Sequence, residues 1–213
     1  MSLNQTFLFE KNDLFIAQSA KPDGLQEISL DQLTPFQRAL LVTDGTVTQL
    51  IEAYILAPLE VIQLSQQKQV LSTNHLWLDT HQGNTVVARK VIIQGKRPES
   101  PVFYTYAESL IVHNRLPKVI QKGLEVGEEG LGQLLRRSGL ETRRDLLWYG
   151  LEYTSNLPDT LKHMEGKPFL SRTYRVIARG EPIMLINERF PLTKSWWKIN
   201  PLINFDWFLD LPC

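Results

Sequence analysis

The sequence predicts an α+β fold, a single domain in which short helices pack on a mostly antiparallel sheet. The clearest sign is "SRTYRVIARGEPIMLINERFP", residues 171–191, which is typical of two strands joined by a tight turn at Arg-Gly-Glu-Pro. A second sign is "NTVVARKVIIQG", residues 84–95, whose near-continuous β-branched run is expected of a central strand. The segment "VFYTYAESLIV", residues 102–112, follows a turn-rich stretch and is its natural antiparallel partner.

Two helices are predicted ahead of the strands. In "LTPFQRALLV", residues 33–42, Thr34 is the expected N-cap, Pro35 suits the first helical position, and Gln37 completes a capping box. In "DGTVTQLIEAYILA", residues 44–57, Thr46 is the expected N-cap and Val47 begins the helix. First-turn amides lack helical partners and can receive a carboxylate, although an ordinary cap by Thr46 and water would also satisfy them.

The remaining elements are strands and glycine-broken helices. "PLEVIQLSQQ" and "TRRDLLWYGLEY" alternate as strands do, whereas "LPKVIQKGLEVG" and "GLGQLLRRSG" are typical of short helices. We predict an N-terminal extension over residues 1–30, one domain over 31–192, and an aromatic tail over 193–213 that packs on the domain.

Composition narrows the class of protein. The 213 residues suit one core, and the formal net charge of +0 predicts no electrostatic attraction to nucleic acid. Cys213 is the single cysteine, which excludes an intrachain disulfide and fits a reducing compartment. There is no signal-peptide pattern and no apolar stretch of bilayer-spanning length. The sequence therefore predicts a cytoplasmic protein without an integral membrane segment.

The common catalytic motifs are missing from the sequence. The four histidines are scattered without metal-ligand spacing, and there is no nucleophile elbow, phosphate-binding loop or dinucleotide fingerprint. We therefore expect no metal and no cofactor, and any catalysis must proceed without a covalent serine or cysteine intermediate.

Two charged residues are predicted on apolar strand faces. Alternation places Glu188 on one face with Met184, Ile186 and Phe190. In the 85–93 strand, alternation leaves open whether Arg89 or Lys90 faces the core. A core-facing Arg89 needs an anion, because burying an unpaired guanidinium is costly. That anion could be Glu188 in a structural ion pair, or a ligand carboxylate held by two hydrogen bonds; Glu188 could also reach water at a strand end.

The order of five segments resembles the chorismate–pyruvate lyase family, in the branch seen in cyanobacteria and some actinobacteria. The segments are "DGTVTQLIEAY", "TVVARKVIIQG", "GEEGLGQLL", "GLETRRDLLWYG" and "SRTYRVIARGEPIMLINERFP", and the resemblance runs from about Leu33 to Leu192. The resemblance implies a six-stranded antiparallel sheet with an internal ligand cavity. It also implies a cofactor-free conversion of chorismate into 4-hydroxybenzoate and pyruvate, which would feed quinone biosynthesis.

The resemblance also implies roles for four residues. Arg89 corresponds to the family's carboxylate-binding arginine, and Glu188 corresponds to its pocket glutamate. Val47 and Leu131 correspond to positions that bind the ligand through their backbone amides. Val47 stands where well-known members have methionine, a change that keeps both the amide and an apolar side chain. Arg144 could bind the enolpyruvyl carboxylate, pair with Asp145 or be exposed. A monomer and a homodimer are both compatible with the sequence.

Two alternatives remain at this point. The same fold serves as an effector-binding domain in bacterial regulators, so a non-catalytic binding protein for an aromatic acid is one of them. Only about 30 residues precede the match, which is too few for the winged-helix domain of such regulators. A structural protein without chemistry is the other, and it would require Arg89 and Glu188 to be a simple ion pair.

Overall fold

The computed structural model describes residues 14–96, 102–127, 130–155 and 157–192. The four helices are α1 (Pro35–Val42), α2 (Val47–Ile55), α3 (Lys118–Val126) and α4 (Leu131–Arg137). The strands are β1 (Leu59–Val70), β2 (Thr85–Gly95), β3 (Phe103–Ile111), β4 (Arg143–Tyr153), β5 (Pro168–Ala178) and β6 (Glu181–Pro191). Short 3₁₀ turns connect several of them. The aromatic tail and Cys213 lie outside the described residues.

All six strands form one antiparallel sheet in the order β1-β2-β3-β6-β5-β4. The predicted pairing of β2 with β3 is confirmed, and so is the β5–β6 hairpin. Arg179 and Gly180 both have positive φ, at 53° and 81°, which is the geometry of a two-residue hairpin turn that matches the twist of its strands. The predicted α+β class, with short helices on an antiparallel sheet, is therefore confirmed.

Local sequence signals explain where α1 begins. The Thr34 side chain accepts a hydrogen bond from the Gln37 amide at 3.2 Å, and the Gln37 side chain accepts one from the Thr34 amide at 2.8 Å. The predicted capping box is thus confirmed. Leu40 and Leu41 point from α1 into the main core, and Val47 and Ile51 do so from α2. Both helices consequently lie over the same face of the sheet.

The two faces of the sheet carry different layers. The face under α1–α4 holds the main core, which includes Val87, Val176, Met184 and Phe190. The opposite face carries a smaller apolar cluster around Tyr106 and Phe169, covered by the 3₁₀ segment Asp159–Met164. None of the helices that the structure describes is long and apolar enough to cross a bilayer.

Part of the predicted N-terminal extension is ordered against the sheet edge. The amides of Ile16 and Ala17 donate to the carbonyls of Leu146 and Leu147 in β4, at 2.9 and 3.0 Å. Phe15 is buried in the main core. Residues 14–17 therefore cover the backbone of an edge strand that would otherwise be unpaired.

Candidate active site

A cavity of about 620 Å³ lies between the helix-covered face of the sheet and the starts of α2 and α4. On the sheet side, its wall includes Val91, Ile93, Ala107, Ser109, Tyr174, Val176, Ile186 and Glu188. On the helix side, its wall includes Gly45, Thr46, Val47, Gly130, Leu131 and Gly132. The volume falls in the range of small-molecule sites.

The two helix starts come close together at the top of the cavity. A Cβ added to Gly132 would lie only 2.8 Å from the Cγ2 atom of Thr46, so glycine permits this approach. Neither Thr46 nor Gly130 supplies a side-chain cap to the helix that it precedes. Val47 and Leu131, the two residues expected to bind through their amides, both line the cavity at this point.

Glu188 is buried in the cavity wall and is held by two neighbours on β5. Its Oε2 atom accepts a hydrogen bond from Nε of Arg172 at 2.8 Å and forms an ion pair with Nη2 of the same guanidinium at 2.7 Å. Its Oε1 atom accepts one from the Tyr174 hydroxyl at 3.2 Å. Because both neighbours are hydrogen-bond donors, this arrangement presents Glu188 as a hydrogen-bond acceptor.

Arg172 is completely buried, and the end of α1 compensates for the loss of its hydration. Its Nη1 atom donates to the carbonyls of Leu41 and Thr43, at 3.2 and 3.1 Å. These carbonyls belong to the C-terminal end of α1, where backbone oxygens lack helical partners and favour a cation. The guanidinium therefore fixes Glu188 on the sheet and the α1–α2 connection above it at the same time.

Tyr174 lies between Glu188 and two arginines. The Cζ atoms of Arg172 and Arg144 are 4.9 and 5.8 Å from the centre of its ring. Burial is the main cause of a raised pKa for the Tyr174 hydroxyl, and the negative charge of Glu188 adds to it. Tyr174 is consequently a neutral hydrogen-bond donor to the carboxylate over the physiological pH range.

Arg89, and not Lys90, is the residue of β2 that points to the cavity side of the sheet. Arg89 is only 3 % exposed, whereas Lys90 is exposed on the other face and binds Glu108 at 2.8 Å. The Nε atom of Arg89 donates to Oε1 of Gln63 at 3.1 Å, and burial lowers its pKa to about 10. Its side chain extends toward β1, beside Val91, which lines the cavity.

The structure therefore places three predicted site residues around one cavity, Val47 and Leu131 on its helix side and Glu188 on its sheet side. Arg89 is adjacent, on the same face of the sheet, but it is not among the described residues that contact the cavity. The alternative in which Arg89 and Glu188 form an ion pair is not what the structure shows, since the guanidinium partner of Glu188 is Arg172.

Three residues at the site escaped sequence reasoning or were undervalued: Arg172, Tyr174 and Arg144. Arg144 lines the cavity, and its Nη1 atom contacts both the carbonyl and the carboxylate of Asp44, with 3.2 Å to Oδ1. The pairing with Asp145 considered from the sequence is wrong, because Asp145 binds Arg175 at 2.9 Å and Arg143 at 3.5 Å.

No group of three or more metal-ligating side chains occurs in the part of the chain that the structure describes.

Comparison with known proteins identifies the family of the chain. The family model described as "Rv2949c-like: Chorismate pyruvate-lyase Rv2949c-like" matches residues 41–198. A protein of Mycobacterium tuberculosis strain CDC 1551 named chorismate pyruvate-lyase is 28% identical over 177 residues, covering 78% of this chain and 84% of its own. The Mycobacterium leprae protein of the same name is 26% identical over 155 residues, covering 72% of each chain.

Among solved structures, the C-terminal domain of the histidine utilization repressor from Pseudomonas syringae aligns with a TM-score of 0.45 and 13% identity. That alignment covers 67% of this chain and 96% of the repressor domain. The family match spans well over half of the sequence. The chain therefore belongs to the Rv2949c-like chorismate pyruvate-lyase family.

Proposed function

We propose that the protein is a cofactor-free lyase that converts chorismate into 4-hydroxybenzoate and pyruvate, a reaction that supplies an aromatic acid for quinone biosynthesis. The observation that carries the proposal is the placement of Glu188. Its carboxylate is held by Arg172 and Tyr174 in the wall of a cavity large enough for a small aromatic acid, in a chain of this family.

The dimensions of the sheet suit the two ends of the substrate. Chorismate carries its ring carboxylate and its ring hydroxyl at opposite positions of a six-membered ring. Glu188 lies on β6 and Arg89 on β2, with only β3 between them. Strands in a sheet are about 4.8 Å apart, so the two backbones are about 10 Å apart. A flat ring between these side chains could meet both of them.

At the carboxylate end, we assign binding to Arg89 together with the amides of Val47 and Leu131. A planar guanidinium can hold a carboxylate through two parallel hydrogen bonds. The unpaired N–H groups of a first helical turn can donate further hydrogen bonds to the same carboxylate. Both amides belong to helix starts without a side-chain cap. In this assignment Arg89 turns from Gln63 to the ligand, a movement of a long side chain that leaves the strand in place.

At the hydroxyl end, Glu188 has acceptor capacity to spare. A carboxylate offers about four lone-pair sites. Among the described residues, Oε2 is occupied by the hydrogen bond from Nε and the ion pair with Nη2 of Arg172, and Tyr174 takes one site on Oε1. A further acceptor site on Oε1 suits the ring hydroxyl, which becomes the phenol of 4-hydroxybenzoate.

The reaction itself is an elimination. The bond between the ring carbon and the ether oxygen breaks, and the adjacent carbon, which bears the hydroxyl, loses its proton. The C–H electron pair completes the aromatic ring, and the released enolpyruvate takes up a proton at its methylene carbon to give pyruvate. Since aromatisation supplies the driving force, the protein contributes mainly by orienting the dianion and by donating and accepting hydrogen bonds at its ends.

The experiment is to incubate the purified protein with chorismate and to follow both products. Stoichiometric 4-hydroxybenzoate by chromatography and pyruvate by a coupled dehydrogenase assay would support the proposal. Binding of 4-hydroxybenzoate without release of pyruvate would instead favour a non-catalytic binding protein for aromatic acids. Absence of both binding and turnover would refute a role in either class.

A further inference from the structure

We infer that Arg144 is a specificity residue that binds the second carboxylate of the substrate, the one on the enolpyruvyl side chain. The inference rests on the proposed function, because it names a contact that the substrate can make and that 4-hydroxybenzoate cannot. It gives the site a means of preferring a dicarboxylate over its monocarboxylate product.

Arg144 has the position that this contact requires. In chorismate, the enolpyruvyl ether is attached to the ring carbon next to the one that bears the hydroxyl. If the hydroxyl meets Glu188, the second carboxylate must lie close to Glu188 as well. Arg144 and Glu188 both contact Tyr174, since the Arg144 Cζ atom is 5.8 Å from the centre of the ring and the Tyr174 hydroxyl donates to Glu188.

Arg144 also has donor capacity to spare. Its Nη1 atom is engaged with Asp44, but its buried Nε atom has no hydrogen-bond partner among the described residues. Unsatisfied buried donors are uncommon in folded proteins, and a functional role is one of the explanations for them. The Asp44 carboxylate is 71 % exposed, so water shares its charge and leaves the guanidinium available to a second anion.

Two other cations line the cavity but suit this role less well. Lys96 and Arg136 are both exposed. Exposed and unanchored side chains lose more conformational freedom and more hydration when they bind an anion. Arg144 is already fixed by Asp44 and by the Tyr174 ring, and its side chain is only 12 % exposed.

The test compares Arg144→Gln with Arg143→Gln. Arg143 is the preceding residue on β4, is 69 % exposed and is absent from the cavity wall. Arg143→Gln therefore removes one positive charge, as Arg144→Gln does, but removes no group that could contact the substrate. For each protein, the KM and the dissociation constant of chorismate are measured by pyruvate release and single-turnover kinetics. The dissociation constant of 4-hydroxybenzoate is measured by calorimetry.

Loss of a charge-assisted hydrogen bond predicts that Arg144→Gln weakens chorismate binding by about 10- to 100-fold. Its 4-hydroxybenzoate affinity should change by less than about threefold, and Arg143→Gln should change neither. Arg144→Lys, which keeps the charge but not the planar fork, should restore part of the chorismate affinity. It also provides a second variant if the glutamine variant does not fold.

Equal losses for chorismate and 4-hydroxybenzoate in Arg144→Gln, or unchanged chorismate binding, would overturn the assignment while leaving the proposed lyase activity intact. A wild-type protein that releases no pyruvate from chorismate would remove the proposed function itself, and the assignment of Arg144 would fall with it. The wild-type assay therefore separates the two failures.

Discussion

Two ion clusters lie on opposite faces of the same sheet, and consecutive residues of β6 contribute to both. Glu188 faces the cavity and pairs with Arg172. Arg189 faces the other way and binds Glu108 at 2.6 Å and Glu152 at 2.9 Å. Both clusters join side chains from different strands of the sheet, yet their surroundings differ. The cavity-side pair is buried, whereas the carboxylates of the opposite cluster are 32 % and 23 % exposed.

The difference bears on the ligand-binding role that we propose for the cavity-side cluster. On the outer face, Lys90 adds a second cation to Glu108, and Tyr106 donates to the same carboxylate at 3.1 Å. Two cations, Lys90 and Arg189, match two carboxylates there, and both carboxylates are partly exposed. On the cavity face, Glu188 retains an acceptor site beside empty volume. An unused acceptor at a cavity wall is the feature that a binding role requires.

The largest effect on stability should come from removing the buried cation. Arg172→Met would leave the Glu188 carboxylate buried beside Tyr174 alone and would free the carbonyls of Leu41 and Thr43. Breaking a buried pair in this way costs about 3–5 kcal/mol in the free energy of unfolding. Urea unfolding at pH 7 measures it.

The matched variant on the other face is Arg189→Met. Here water can reach the two released carboxylates, so a loss of about 1–2 kcal/mol is expected. Equal losses for Arg172→Met and Arg189→Met would contradict the distinction between a buried and a hydrated cluster.

The largest effect on activity should come from Arg89. Arg89→Ala removes the guanidinium assigned to the ring carboxylate, and pyruvate release should fall at least about 100-fold, since charge stabilisation at a buried site is worth about 3 kcal/mol. Lys90→Ala, one residue further on the outer face, should retain activity within about twofold. Near-normal turnover of a folded Arg89→Ala protein would refute the assignment.

The sequence predicted the fold better than the site, and Arg89 on β2 and Arg172 on β5 show why. Strand alternation needs only local information, and it placed Glu188 among Met184 and Ile186 correctly. The choice between Arg89 and Lys90 could not come from alternation, because both faces of β2 carry apolar residues. The resemblance to the family, and not the pattern, favoured Arg89.

Arg172 was missed because its pairing depends on the register of the strands. Counted from the two-residue turn, the hairpin would place Glu188 opposite Ser171. A register shift at Val176–Ile177 adds a residue to β6 and moves Glu188 opposite Arg172. Neither strand carries a glycine at the shift to signal it. Arg144 was undervalued for a similar reason, because its partner Asp44 lies 100 positions earlier in the chain.

A smaller effect is expected for Glu188→Gln. The amide can still accept a hydrogen bond from the ring hydroxyl, but without the negative charge. If Glu188 acts as an acceptor, kcat/KM for chorismate and the affinity for 4-hydroxybenzoate should both fall by a similar factor of about 10–30. Steady-state kinetics and calorimetry measure the two quantities.

Glu108→Gln is the matched control on the outer face and should leave both quantities unchanged. A fall in kcat far larger than the fall in 4-hydroxybenzoate affinity would contradict a purely accepting role for Glu188. Such a result would indicate that its carboxylate moves a proton during the elimination.

The smallest effect concerns acid stability and the outer cluster. Burial by itself would raise the pKa of Glu108, but hydrogen bonds and charges from Lys90 and Arg189 outweigh it and lower that pKa below its ordinary value of 4.5. A carboxyl group with a depressed pKa in the folded state stabilises the protein fully above the pKa of the unfolded chain. That contribution is lost as the pH falls through the folded-state pKa.

Wild type should therefore exceed Glu108→Gln in unfolding free energy at pH 7, and the difference should shrink as the pH falls below 4.5. Urea unfolding between neutral and acid pH measures it. Glu27→Gln is a suitable control, because the Glu27 side chain is 83 % exposed and its contact with Lys21 is long, at 3.5 Å. If the difference in unfolding free energy between wild type and Glu108→Gln instead grew as the pH fell, the outer cluster would destabilise the charged Glu108 carboxylate. The outer face would then no longer be an example of a stabilising ion cluster to compare with the cavity face.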